Sequence, residues 1–244
     1  MLVAAAVCPC PPLLVPEVAS GAAPELAAAR DACADAVGVL AASRPDLLVV
    51  VGSAEQDGTA TYAQGARGSF EGFGVDFATF LGTAETPRPG VPGSAAGHEL
   101  PPSLAVGAWL LSRARWSDAR VEGLRVGERL AGEECAREGR TLAARAERVA
   151  LLVLGDGSAC RTLKAPGYLD ERAEGFDAAT ARALGTADTA ALAALDGNLA
   201  YELKAAGRAP WQVLAGAAEG AGLQGQLLYE DDPYGVGYFV AVWS

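Results

Sequence analysis

The sequence predicts an α/β fold: a central mixed, mostly parallel sheet flanked by helices, with a C-terminal β-hairpin. Three observations carry that expectation. Leu2–Val7, Leu47–Val51 and Val149–Leu154 are short, continuous apolar runs, the pattern of strands covered on both faces. Helical periodicity fills much of the chain between them. The C-terminal segment then switches to two strand-like stretches around a Pro/Gly-rich turn.

The first helix is expected after Leu2–Val7. Pro24 suits a first turn, and Leu26, Ala29, Cys33, Val37 and Leu40 share one stripe. A second helix follows from Leu104, Ala108, Leu111 and Arg115, with Trp109 near its margin. Leu192, Leu195, Leu199 and Leu203 predict a third that ends near Gly207. Pro210 is expected to open a short helix through Val213, Leu214 and Ala217. The hairpin strands are Gly225–Glu230 and Val236–Trp243, joined by Asp231-Asp232-Pro233-Tyr234-Gly235, and they should add antiparallel strands to the sheet. Gly52 to Gly97 is rich in Gly, Thr, Ser and Pro yet holds Phe70, Phe73, Phe77 and Phe80. It reads as an ordered insertion over the carboxyl ends of the strands, where α/β sites lie. No internal repeat or boundary divides the chain, so residues 1–244 are expected to form one domain.

Composition narrows the function. A chain of 244 residues can bury a substantial core without staples. A formal charge of -11 argues against a nucleic-acid partner and against anionic membrane surfaces. No apolar stretch approaches the ~20 residues of a membrane helix. The N-terminus lacks a basic n-region. The five cysteines, an odd count, fit reduced thiols in a cytoplasm. A small molecule, or a second copy of the chain, is the partner this leaves open.

Four segments carry candidate chemistry. Cys8-Pro9-Cys10 follows the first run. Cys10 is either a packed strand-end residue or a thiol or ligand lining the crevice. Gly52-Ser53-Ala54-Glu55 follows the second run, and Glu55 is either an exposed loop carboxylate or an oxygen ligand. His98, the one histidine, lies in Gly97-His98-Glu99-Leu100-Pro101 before a helix and suits acid–base work near neutrality. Gly155-Asp156-Gly157-Ser158-Ala159-Cys160-Arg161 follows the third run. This segment is too short for a phosphate-binding Walker loop and lacks its Lys-Ser/Thr.

In order and spacing these motifs resemble the class III extradiol ring-cleavage dioxygenases, across Ala6 to Val242. The opening is similar to that family's strand followed by Pro-His-Pro-Pro, with Cys10 at the position of the iron-binding His. A second ligand His commonly follows the second strand there; here Ser53 or Glu55 stands in its place. His98 resembles a His beside the substrate. Gly155, Asp156 and Ser158 match a Gly-Asp-Leu-Ser-His-Arg motif whose catalytic His is replaced by Ala159 or Cys160. The resemblance continues through Ala165-Pro166-Gly167-Tyr168 and Phe176-Asp177. The family's last ligand, a Glu before a Gly-x-x-Pro turn, falls near Lys204 or Ala205, with Glu202 one helical turn away. The ending Tyr229 to Tyr238 is similar to the family's Tyr-Glu-x-Pro-Phe-Gly-Val-Gly-Tyr.

The resemblance implies Fe(II), but an iron oxygenase needs two His and one carboxylate, and one chain here supplies one His. Three readings follow. The first is a divergent member that has lost the iron site and keeps a small-molecule pocket. The second is an oxygenase of catechol-type substrates with a centre remodelled from Cys10, Glu55, His98, Asp156 or Cys160, or completed by another subunit. The third is an interaction protein with a vestigial cleft.

Overall fold

The computed structural model describes residues 1–83 and 99–244. In chain order the regular elements are β1 (Leu2–Cys8), α1 (Pro16–Ala19), α2 (Ala27–Ala42), β2 (Leu47–Ala54), β3 (Thr59–Tyr62), β4 (Arg67–Ser69), β5 (Ala78–Phe80), α3 (Pro102–Arg113), β6 (Arg120–Gly127), α4 (Gly132–Ala143), β7 (Val149–Leu154), α5 (Arg172–Gly185), α6 (Thr189–Ala193), α7 (Gly197–Glu202), α8 (Arg208–Ala217), β8 (Gly225–Asp231) and β9 (Tyr238–Trp243). A seven-stranded sheet runs in the order β3-β6-β2-β7-β1-β9-β8. β6, β2, β7 and β1 are parallel; β3, β9 and β8 are added antiparallel at the two sides.

The apolar runs are continuous because each strand feeds two cores. Ala4, Ala6 and Cys8 of β1 join Leu48, Val50, Leu152 and Leu154 beneath α2 and α3. Ala5 and Val7 alternate onto the other face with Val49, Val51, Leu151 and Val153, where α4, α5 and α8 pack. Helices α4 and α8 meet through glycine: a Cβ on Gly139 would stand 2.0 Å from the Val213 carbonyl oxygen, and one on Gly216 would stand 2.1 Å from that of Ala136. Side chains there would force the helices apart.

Several boundaries differ from the sequence reading. Pro24 lies inside a 3-10 turn, Ser20–Leu26, and α2 begins at Ala27. Trp109 is buried instead of marginal. The expected helix over Leu192–Leu203 is two helices. The Asp196 side chain accepts the N–H groups of Asn198 and Leu199, which caps α7 and prevents α6 from continuing. Pro210 is the third residue of α8, not its first. The described part of the 52–97 insertion does not roof the strand ends. β3 extends the sheet edge beside β6, and the β4–β5 hairpin lies against α3. Phe70 is fully buried there, packed on Phe77 with ring centroids 5.8 Å apart.

β6, α4 and α5 had no counterpart in the sequence reading. Glu122 explains why β6 is hidden. It is buried in mid-strand, but its carboxylate pairs with Arg120 and with Arg145, the latter at 2.6 Å.

Candidate functional site

The four parallel strands deliver their carboxyl ends to one end of the sheet. β1 leads to Cys10, β2 to Glu55, β6 to Glu128 and β7 to Asp156. Connections from β1 and β2 lead to the α2/α3 face, and those from β6 and β7 to the α4/α8 face. Neighbouring strands therefore send their chains apart, which opens a crevice at their ends.

Asp156 and Cys10 meet directly across β7 and β1: the Cys10 N–H donates to Asp156 Oδ1 at 2.8 Å. Desolvation pushes the Asp156 carboxyl up to about 7, and the Cys10 N–H only partly offsets it. The Cys10 side chain is buried. Burial first, then the negative charges of Asp156 and Glu128, raise its thiol well above the usual range. Cys10 is thus held as a protonated thiol, the opposite of a reactive thiolate. Tyr238 is buried nearby, and its phenol is likewise pushed up by burial and by Asp156.

The remaining candidates separate. Ser53 is buried, and its carbonyl accepts the Ser103 hydroxyl at 2.7 Å. Glu55 is exposed at the rim. Ser158 is fully buried and committed to Asp177 of α5: its N–H donates to Oδ1 at 2.8 Å and its Oγ to Oδ2 at 2.7 Å. Arg161 completes that cluster, 3.6 Å from Asp177 and 3.2 Å from Asp232 in the hairpin turn. Ser158 therefore anchors the β7 loop to α5. Cys160 points into the α4/α8-side core and donates to the Leu203 carbonyl at 3.5 Å. Ala159, not Cys160, shares a cluster with Cys10 and Tyr238. His98 lies outside the described residues.

Two adjoining pockets open beside this end of the sheet. The first, about 740 Å³, is bordered by Glu55, Glu128, Glu202, Lys204, Ala205 and Arg208. It lies where the β7 loop abuts the turn into α8. The Gly207 N–H donates to the Asp156 carbonyl at 2.9 Å, and a Cβ on Gly155 would stand 2.3 Å from Gly207 Cα. Glu128 is half-buried, and its carboxyl is raised by desolvation and by Glu55, with Arg208 opposing. The second pocket, about 630 Å³, is lined by Gly132, Asp196, Gly197, Asn198 and Gln212. Arg129, Tyr201 and Arg208 border both. The Arg129 guanidinium lies 3.9 Å from the Tyr201 ring centroid.

Glu128, Arg129, Tyr201 and Arg208 escaped the sequence reading. Recognising 120–127 as a strand would have placed Glu128 and Arg129 at a carboxyl end. The burial of Arg208 has no sequence signature.

The donor set does not fit Fe(II). Cys10 is held protonated, Ser53 offers only a neutral hydroxyl, Ser158 and Cys160 point away, and Glu55 and the desolvated Asp156 are the carboxylates left. Among the described residues, no three His, Cys, Asp or Glu side chains stand close enough together to hold a metal ion.

No protein-family model matches the chain, and no curated protein matches it. The fold is similar to the crystal structure of the uncharacterized protein JW3007 from Escherichia coli K12. The TM-score is 0.57 at 18% identity, with 99% of each chain covered. That likeness extends over nearly the whole α/β architecture.

Proposed function

We propose that this chain is a divergent extradiol-dioxygenase-like protein that has given up the Fe(II) centre and keeps a small-molecule pocket at the carboxyl end of its sheet. One observation carries the reading. Glu55, Glu202, Lys204 and Ala205 border a single pocket of about 740 Å³. Through the resemblance these are the positions at or beside two of the family's metal ligands. The third, Cys10, lies one hydrogen bond from Asp156 in the adjoining loop. On this reading the place is kept while its donors give way to a protonated thiol, to Ser53 or Glu55, and to Lys204 or Ala205. The volume suits a small ligand. All five cysteines are free and buried, which supports a reducing, cytoplasmic setting. Among the described residues, no helix is long and apolar enough to cross a membrane.

The test uses 4-methylcatechol as probe with the metal-free full chain. Saturable binding that is weakened by Lys204→Glu, without oxygen consumption after Fe(II) is added, is the expected result. Lys204 is exposed, so the variant should fold. Fe(II)-dependent oxygen uptake with ring cleavage would overturn the loss of the iron centre. Absence of saturable binding would overturn the pocket for this ligand class.

A further inference from the structure

The second pocket contains a cation that forms no ion pair within 4.0 Å among the described residues, although the Glu128 carboxylate acts on it from farther off. Arg208 is 3% exposed. Its Nη1 donates to the Leu130 carbonyl at 2.6 Å and to Gln212 Oε1 at 2.9 Å, and Nη2 donates to the Glu128 carbonyl. Gln212 is fixed in turn by the carbonyls of Ala193 and Leu195, at 3.1 and 3.0 Å. Every partner is neutral, and among the described residues Arg208 forms no ion pair with a carboxylate. A buried charge held only by neutral dipoles is costly unless a counter-ion joins it.

The Nε–H and the second Nη2 hydrogen have no protein acceptor among the described residues. Nε and Nη2 share the side-on edge of the guanidinium, the edge that grips a carboxylate with two parallel hydrogen bonds. Gly197 lies over the face of the guanidinium, where a Cβ would stand 3.5 Å from Cζ, 3.6 Å from Nη2 and 3.8 Å from Nε, so this residue does not cover the donor edge. Arg129, stacked on Tyr201, brings a second cation to the same wall. Asp196 on this wall caps α7 through Oδ1 alone, so its negative charge favours a monoanion over a dianion here.

We infer that this pocket binds a small organic carboxylate, seated on the side-on edge of Arg208 with Arg129 as the second cation. Two aligned donors match a planar monoanion. A phosphate dianion would leave acceptors unpaired and would face Asp196 and the nearby Glu128. The inference needs no catechol; Arg129 and Arg208 border the neighbouring pocket as well, but Gly132 and Gly197 line this pocket and not that one, so their amides report where the ligand sits.

Benzoate is the probe, titrated into the ¹⁵N-labelled full chain at constant ionic strength. Saturable shifts of the Gly132 and Gly197 amides are expected. Arg129 is exposed, so Arg129→Gln should fold and weaken binding by about tenfold or more, the usual loss of a charge-assisted contact. Arg129→Lys should recover most of it. Arg208→Lys keeps the charge but loses the fork, and should weaken binding about as much, with melting temperature as the folding control. Absence of saturable shifts in the wild type would overturn the proposal. So would unchanged binding in both Arg129→Gln and Arg208→Lys. Inorganic phosphate that shifts these amides where benzoate does not would overturn the assignment to carboxylates.

Discussion

Replacing Asp156 by Asn should stabilise the protein at alkaline pH and remove much of its pH dependence. The folded state pushes the carboxyl from 3.8 up to about 7 by desolvation. A carboxyl whose pKa rises on folding favours the folded state while it is protonated. Its contribution is therefore complete below the unfolded value and is lost as pH climbs through the folded one. The shift corresponds to about 4 kcal/mol, of which less than half is lost by pH 5 and nearly all by pH 8. Asn mimics the protonated acid. Its Oδ1 can still accept the Cys10 N–H, which the structure places at 2.8 Å, and it carries no charge to desolvate. Urea denaturation of both proteins at pH 5 and pH 8 provides the assay. The wild type should lose about 2–3 kcal/mol more than Asp156→Asn between the two values. Parallel pH profiles, or an Asn variant less stable than the wild type at pH 8, would refute the assignment of a desolvated, proton-holding Asp156.

Two further predictions concern neighbouring residues. Ser158→Ala removes a fully buried hydroxyl from Asp177 and should cost about 1–3 kcal/mol of unfolding free energy. Binding of 4-methylcatechol should be unaffected, so a selective loss of binding at intact stability would instead put Ser158 in the site. Cys10 should resist iodoacetamide in the native protein at pH 8, because burial and flanking carboxylates keep its thiol protonated. Peptide mapping that finds Cys10 modified ahead of the other cysteines would contradict that environment.

The legible part of the fold is the part governed by local pattern. β1, β2 and β7 read correctly because strands buried on both faces have no polar residue to disguise them. The hairpin of β8 and β9 read correctly from its Pro/Gly turn. β6 did not, because Arg120, Glu122 and Arg125 look like a polar connection until tertiary pairing neutralises Glu122. The break between α6 and α7 hinged on one side-chain cap at Asp196, which a stripe of leucines at helical spacing conceals. For the site, strand-end position was enough to bring Cys10 and Asp156 together. It could not separate them from Ser158 and Cys160, whose hydroxyl and thiol turn inward to Asp177 and Leu203. Arg208 was invisible because a buried arginine and a surface arginine are the same letter until the burying elements, α6 to α8, are assembled.

The central claim is that the strand-end pocket persists without an iron centre, and metal content tests it most directly. The full chain, purified without a His tag, would be loaded anaerobically with Fe(II) and separately with Zn(II), desalted and assayed for bound metal. The account predicts well under one equivalent of either ion after desalting. Near-stoichiometric metal that survives desalting would contradict it and establish a rebuilt centre.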